Sequence, residues 1–440
     1  MRILLAHNSL YYPSYGGGDK SNRLLMEALA ARGHQVRVAG RVEHFGAEAH
    51  AALLRELGER AIAANAAVGS AVEFQLNGVD VHILTREPRL RAYFAGQVRE
   101  FDPDIIIAST DDPAHLMLDV ALRAPRAHVV YLVRATIALP FGPDSGLPSA
   151  FHTEILRHAD GVVAVSEYVA EYTRRWGGVE AIHVPISLLD GGGRAEYPNL
   201  GRFDNRYVSM VNPCAVKGIA IFLALADRFP HVAFATVPTW GTTAADFAEL
   251  RRRPNIAVLA PVDDIDDLLR QTRVMLAPSL WAEARSRVIL EAMSRGIPVM
   301  ASNVGGLAEA MLGVDYLLPV AAVTRYRPMV DELMVPVVEV PPQDATPWAA
   351  VLERLLTGRT HYEELSKWAR QAALAYARNL SAGPFETYLE RILACPKRNP
   401  PPHPAGRVVL SDERRRLLAL RLRRAGVTAA DASPAPSRSD

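Results

Sequence analysis

Two carboxylates open the most chemically suggestive stretch of this chain, residues 278–309, PSLWAEARSRVILEAMSRGIPVMASNVGGLAE. Glu283 and Glu291 are separated by seven residues. Eight positions along a helix are a little over two turns, so residues at that spacing lie on nearly one face, roughly 12 Å apart. The apolar spacing of Val288, Ile289, Ala292 and Met293 predicts a helix that carries Glu291 and stops at Gly296, with Glu283 in the loop before it. The start of that helix, near Ser286, offers unpaired N–H groups to an anion lying between the two acids. A strand-like run, Pro298–Ala301, and the Gly305-Gly306 pair follow. Acids that bind hydroxyls at both ends, with an anion site between them, suit a sugar, a diphosphate and a ribose in that order. Those are the parts of a sugar nucleotide.

A second group of interest is Lys217, in Val211-Asn212-Pro213-Cys214-Ala215-Val216-Lys217-Gly218. Lys stands at only four positions (20, 217, 367 and 397), which leaves 45 of the 49 basic residues as Arg, so a lysine inside a motif carries weight. This one falls between a strand, Tyr207–Val211, and a helix, Ile219–Arg228. An ammonium at the carboxyl end of a strand can reach a diphosphate in a cleft and neutralise it as a glycosidic bond breaks. By itself it would read equally well as an exposed lysine at a helix start; the nearby pair of acids favours the first reading.

The elements that must position these groups alternate regularly. Arg2–His7 reads as a buried strand, followed by Gly16-Gly17-Gly18, a helix over Ser21–Ala31 that ends at Gly33-His34, and a strand at Val36–Val38. Further strands are expected at 81–84, 105–108, 128–133 and 161–165, with helices between them and Ser166 capping a helix that runs to Trp176. A polar, Gly-rich break at 190–201 separates this half from a second alternating set that begins at Tyr207. Continuously apolar strands that alternate with helices imply parallel sheets covered on both faces. The fold class is therefore α/β, with two Rossmann-like domains facing a central cleft. The expected boundaries are 1–190, 200–380, a C-terminal helix at 381–395 returning towards the first domain, and a Pro/Arg-rich, disordered tail at 396–440.

Composition supports this organisation. The chain has 440 residues, too many for one ordinary core, and 49% of them are hydrophobic, ample for two. A net charge of +1 provides no global field for nucleic acid or membrane. Two cysteines, Cys214 and Cys395, make neither a disulfide framework nor a metal site, so a reducing, cytoplasmic setting is expected. The apolar run at 1–7 is too short for a signal peptide, and no window has the length of a membrane span. The acidic run Asp263–Asp267 sits at a helix start, where acids complement the macrodipole, so it is read as a cap rather than a metal site. A short basic helix over 411–425 is the one segment that would touch a membrane, and then only peripherally.

Taken together, these pieces resemble the retaining nucleotide-sugar glycosyltransferases of the GT-B fold, family 4 (glycosyl transferases group 1). The motifs are Gly16-Gly17, Gly33-His34, Lys217-Gly218, the Glu283/Glu291 window and Gly305-Gly306-Leu307-Ala308-Glu309, matched in order and spacing over roughly residues 1–395. The resemblance implies catalytic roles for Lys217, on the diphosphate, and Glu283, on the transferred sugar. It implies donor contacts from Gly16, Gly17, Asn212, Arg285, Ser286, Arg287 and Glu291, with Glu291 on the ribose and the nucleobase near Val262. Three positions depart from the family pattern. Asn212 stands where an Arg is common, Arg285-Ser286 replaces an aromatic-Gly pair, and Arg134 follows the strand after which many relatives carry a cleft His. Arg285 or Arg287 is expected to replace the missing guanidinium. Asp111, Asp112, Arg134, His115 and His152 are the acceptor-side candidates.

The resemblance implies transfer of a sugar from a nucleotide-diphosphate donor to an acceptor hydroxyl or amine, with retention at the anomeric carbon and no metal or other cofactor. The acceptor would be a small molecule, a glycan or a lipid-linked group, with no nucleic-acid partner. A pseudo-glycosyltransferase, a sugar-nucleotide epimerase on the same fold and a catalytically silent nucleotide-sugar-binding protein are the alternatives.

Overall fold

The structure, a computed structural model, describes residues 1–14, 16–66, 70–189, 196–262, 264–333 and 335–402. The expected basic helix at 411–425 lies outside the described residues.

The first domain is built on a nine-stranded sheet. Its strands are β1 (Arg2–Ala6), β2 (Gln35–Arg41), β3 (Ala64–Asn65), β4 (Ala71–Leu76), β5 (Val79–Leu84), β6 (Ile105–Ser109), β7 (His128–Val133), β8 (Gly161–Ala164) and β9 (Ile182–His183), in the order β3-β4-β5-β2-β1-β6-β7-β8-β9. The helices α1 (Gly17–Ala31), α2 (Ala47–Glu59), α3 (Leu90–Phe101), α4 (Leu116–Leu122), α5 (Ala150–Arg157) and α6 (Glu167–Gly177) accompany it. Strands β1, β2 and β5 to β9 pair in parallel, as the apolar runs imply. Strands β3 and β4 do not: β4 pairs antiparallel with β5, and β3 with β4. The expectation of purely parallel sheets is corrected here. β4 and β5 are joined through Asn77 and Gly78, both at positive φ, a turn that allows only antiparallel return.

The second domain carries a six-stranded parallel sheet. Its strands are β10 (Tyr207–Val211), β11 (Phe234–Val237), β12 (Ile256–Val258), β13 (Thr272–Ala277), β14 (Val299–Ser302) and β15 (Leu317–Leu318), ordered β12-β11-β10-β13-β14-β15. A small antiparallel hairpin, β16 (Tyr326–Val330) and β17 (Pro336–Val338), lies apart from it. The helices are α7 (Ile219–Arg228), α8 (Ala244–Arg251), α9 (Asp266–Leu269), α10 (Arg287–Ser294), α11 (Leu307–Ala310), α12 (Thr346–Thr357) and α13 (Arg359–Ala377). The sequence pattern extends the helix at 265 as far as Thr272, but that residue begins β13. Its hydroxyl meets Ser209 at 2.9 Å, and its backbone takes a place in the ladder.

Each domain has its own apolar core. The last helix, α14 (Gly383–Leu393), belongs to the first of them although it follows the second domain in sequence: Phe385 and Leu389 are fully buried in the first-domain core. Glu386 accepts from Arg32 at 2.6 Å, and His34 lies 2.7 Å from it. The chain thus crosses back and ties its end to the start of β2. Among the described residues no helix is long and apolar enough to cross a membrane.

Candidate active site

In a doubly wound sheet the strand order reverses beside the first strand, and the loops leaving that point splay apart to form a crevice. In the first sheet this point lies between β1 and β6, and in the second between β10 and β13. The two crevices face each other across a cleft of about 590 Å³. Its walls include Ser9, Gly17, Asp19 and Asp111 from the first domain, and Asn212, Lys217, Glu283 and Glu291 from the second. Residues scattered over most of the chain meet there because each one lies in the loop or helix that follows the carboxyl end of a strand.

On the second-domain side, the Lys217 ammonium is ion-paired with the Glu283 carboxylate. Ser279 donates to the same oxygen at 2.6 Å. Burial alone would raise the Glu283 carboxyl; the Lys217 charge, helped by Ser279, more than offsets it and holds the group below the usual carboxylate range. The Lys217 Nζ also lies 5.2 Å from the centre of the Trp281 ring, and Trp281 packs at 6.0 Å from Trp240.

Gly305 and Gly306 account for the shape of the Glu283 loop. A Cβ on Gly305 would sit 2.6 Å from the Glu283 nitrogen, and one on Gly306 would sit 2.1 Å from the Ala284 oxygen. The Gly306 N–H donates to the Glu283 carbonyl at 2.7 Å. Gly305 also takes φ +55, in the left-handed region. The Gly-Gly pair is thus the floor on which the acidic loop rests.

Eight positions later, Glu291 accepts from Arg287 at 2.9 Å, one helical turn away, and Lys20 of the first domain approaches the same carboxylate to 4.0 Å. Burial pushes Glu291 up, but Arg287 first and Lys20 second pull it below its ordinary value. Ser286 is the N-cap of α10 and makes no side-chain capping bond, so the first-turn N–H groups have no side-chain acceptor of that kind. Gly16, at the start of α1, likewise makes no side-chain cap. Two helix N-termini therefore border the cleft, with Arg287 passing so close to Gly17 that a Cβ there would meet the Arg287 side chain at 3.7 Å.

The remaining donor-side candidates divide. Val262 lines the cleft. Asn212 lines it too, at φ +58, with its Oδ1 accepting from the Gly241 N–H at 3.1 Å, so it secures a turn and brings no charge. Of the two arginines expected to replace the guanidinium absent at 212, Arg287 faces Glu291, whereas Arg285 lays its guanidinium over the Tyr376 ring at 4.5 Å, towards α13.

On the first-domain side the structure assembles a network that sequence reasoning missed. His7, fully buried at the end of β1, has its Nδ1 at 3.0 Å from Asp111 and its Nε2 at 3.0 Å from the Ser9 hydroxyl. Ser9 in turn donates to Asp19 at 2.6 Å. Burial would lower the His7 pKa, but Asp111 foremost and Asp19 after it raise it above the ordinary value. The same contacts hold Asp111 down, whereas burial leaves Asp19 raised. Arg134 leaves β7 beside this group: its Nη1 donates to Ser21 at 2.6 Å, while Nε and Nη2 are buried with no partner among the described residues. Burial, and then the charge of Arg287, bring its pKa down to about 9.

Three acceptor-side candidates lie elsewhere. Asp112 is fully buried and accepts the N–H groups of Leu116, Met117 and Leu118, so it caps α4, and burial pushes it up to about 6. His152 is on α5, its ring 5.1 Å from that of His115. Burial drives His115 down to about 3. None of the three belongs to the cleft wall. Lys20 is the missed residue with the clearest signal, being one of only four lysines and lying just after the Gly-rich turn. His7, Asp19, Trp240 and Trp281 had no spacing that would single them out.

Two facing Rossmann-like domains with paired switch points define the GT-B architecture. Residues 16–187 match the description "Glycosyl transferase 4-like domain", and residues 207–358 match "Glycosyl transferases group 1". The chain belongs to the family 4 glycosyltransferases, and it is a glycosyltransferase. Over 328 residues it is 27% identical to the phosphatidyl-myo-inositol mannosyltransferase of Mycobacterium leprae, covering 69% of this chain and 80% of that one. The protein of the same name from Mycolicibacterium smegmatis is 28% identical over 274 residues, 56% of this chain and 65% of its own length. Among solved structures, a sucrose-phosphate synthase from Thermosynechococcus elongatus superposes with a TM-score of 0.63 at 19% identity, covering 90% of this chain and all of that one. Anabaena Alr3699/HepE, in complex with UDP-glucose, gives 0.60 at 15% identity over 90% of this chain and all of its own. Both share the fold.

Proposed function

We propose that the chain transfers a hexose from a nucleotide-diphosphate donor to an acceptor hydroxyl, with retention at the anomeric carbon. The observation that carries this reading is the pair of mutually neutralised ions at the two ends of the cleft, Lys217–Glu283 and Arg287–Glu291, separated by the open N-terminus of α10. Without donor, each acid satisfies its neighbouring cation. A bound donor would exchange these partners: its diphosphate would take Lys217 and the α10 N–H groups, its sugar hydroxyls would take Glu283, and its ribose would take Glu291. Gly17 and Lys20 would close on the phosphates from the first domain. The charge on the departing diphosphate is then met by side-chain cations and helix N-termini, which is electrostatic stabilisation aimed at the place where charge develops.

The acceptor would enter from the first domain, beside Asp19, Asp111 and Arg134. In a same-face displacement the leaving phosphate oxygen takes the acceptor proton as the new glycosidic bond forms and the old one breaks, so no protein base is required. The mannosyltransferase relatives are named for an inositol phospholipid, and HepE is described with UDP-glucose. These names support a hexose donor and an acceptor hydroxyl on a phosphorylated, lipid-linked polyol.

A thermal-shift panel of nucleoside diphosphates and sugar nucleotides tests the donor half, because a ligand that binds the folded state stabilises it. Product analysis with labelled donor tests the rest. A glycoside of retained configuration is expected; an epimerised nucleotide sugar, or binding with neither transfer nor slow hydrolysis, would reject the reading.

A further inference from the structure

We propose that Thr136 and Ser166 of the first domain, together with Glu309 of the second, form a closure interlock that couples the approach of the two domains to the position of Glu283. This rests on the reading of Glu283 as the group that holds the donor sugar. Glu283 lies in a short loop whose two flanking carbonyls are both taken from across the cleft. Thr136 donates to the Ala282 oxygen at 2.6 Å, and Ser166 donates to the Ala284 oxygen at 2.6 Å. The loop is thus held on one side by Gly305-Gly306 of its own domain and on the other by two hydroxyls of the opposite domain.

The α6 N-terminus makes the coupling reciprocal. Ser166 is its N-cap and accepts from the Val169 N–H at 3.3 Å while it donates to Ala284. The two preceding N–H groups, those of Glu167 and Tyr168, donate to Glu309 at 3.0 and 2.6 Å. Three of the four N–H groups that a helix start leaves without intrahelical partners are therefore met here, two of them by a carboxylate from the other domain. When the domains part, those two N–H groups and the Ala282 and Ala284 carbonyls all lose their partners together. Glu283 reaches its working position only in the closed arrangement, so Thr136, Ser166 and Glu309 are positioning residues that need not touch the donor.

The test uses the full chain, with UDP-glucose and GDP-mannose as donors and UDP and GDP as binding probes. In the double variant Thr136→Val with Ser166→Ala, kcat is expected to fall about 10- to 100-fold, the effect of two hydrogen bonds, while nucleoside diphosphate affinity stays within about twofold. Thr136→Val alone, outside any α-helix, should retain the wild-type thermal midpoint and still lower kcat about threefold to tenfold. The conservative changes Thr136→Ser and Ser166→Thr should restore turnover. Wild-type turnover together with an unimpaired double variant overturns the interlock alone, as does a loss that appears equally in nucleotide affinity. A wild-type chain that binds neither nucleotide overturns the donor-site reading, and the interlock with it.

Discussion

The two walls of the cleft are built in opposite ways. The second-domain wall comes largely from one continuous segment, 279–306, which supplies Ser279, Glu283, Arg287, Glu291 and the Gly305-Gly306 floor. Its charges are paired cation to acid, Arg287 with Glu291 over one helical turn and Lys217, from the loop after β10, with Glu283. The first-domain wall is assembled from separate segments, Asp111 after β6, Arg134 after β7 and Asp19 in α1, with His7, after β1, buried behind them. Its core is a buried imidazole between two carboxylates, and its arginine has a serine as its hydrogen-bond partner. A wall made from one segment fixes its geometry locally and suits an invariant ligand such as a nucleoside diphosphate. A wall made from several loops can be altered loop by loop, which suits the partner that differs between enzymes of one fold.

The largest expected effect breaks the second-domain wall at its Lys217–Glu283 end. Lys217→Ala or Glu283→Ala should each lower kcat on the order of 10²- to 10³-fold, the usual effect of removing one electrostatic contact to a transition state. Thermal unfolding should show that both variants remain folded, since each lost partner borders an open cleft. A folded, fully active Lys217→Ala chain would remove the basis of the comparison.

Next in size is the loss of Arg134, the guanidinium that the first-domain wall holds ready. Arg134→Ala should lower kcat/KM by roughly 10- to 100-fold, in line with a charge-assisted contact. Arg134→Lys should recover little of this, because an ammonium cannot reproduce the fork geometry. Unchanged kinetics in Arg134→Ala would make this arginine a structural tie to Ser21 and nothing more. A smaller effect is expected at the far end of the donor wall. Glu291→Gln should raise donor KM about tenfold with kcat nearly unchanged, the pattern of an interaction made equally in ground and transition states. If kcat falls instead, Glu291 acts beyond the ribose.

How much could be read beforehand follows the same division. The second-domain wall was legible because Val288, Ile289, Ala292 and Met293 mark out the helix that carries Glu291, Glu283 falls in the loop before it, and the Gly-Gly pair closes the window. The strand-and-helix alternation was legible for the same reason, since β10 and α7 each announce themselves by a continuous apolar run. The antiparallel return of β4 was harder, because its alternation resembles that of an ordinary exposed strand until Asn77-Gly78 is given its turn geometry. The His7 network had no local signature at all. His7, Asp19 and Asp111 are brought together by the pairing of β1 with β6, and sequence spacing carries no record of that pairing. Asp112 shows the converse, an acid beside a true cleft residue that turns inward to cap α4.

The smallest effect sharpens the contrast through pH. Glu283 and Glu291 are held below their ordinary value of 4.5, so the stability they contribute is present above about pH 4.5 and is lost as pH falls through their lowered values. His7 is raised above 6.5, so its contribution is complete below about pH 6.5 and is lost as pH rises through the raised value. The second-domain wall therefore weakens in acid and the first-domain wall weakens towards mild alkali. Of the groups facing His7, Asp111 is held below the usual carboxylate range by His7, Asp19 is raised by burial, and Arg134, beyond them, is brought down by burial to about 9, at the alkaline edge of that window. His50, His115 and His183 have lowered values and push stability the other way, but they do so below about pH 6.5, on the acid side of that window. The informative quantity is consequently the difference in thermal midpoint between wild type and His7→Asn, followed from about pH 6 to pH 8.5. That difference should shrink as pH rises, because the wild type loses an imidazolium that the variant never had. Two curves that stay parallel would mean that His7 titrates alike in the folded and unfolded chain; a difference that grows with pH would mean that His7 is neutral in the fold, and that the network between Asp19 and Asp111 is held by hydrogen bonds without a charge at its centre.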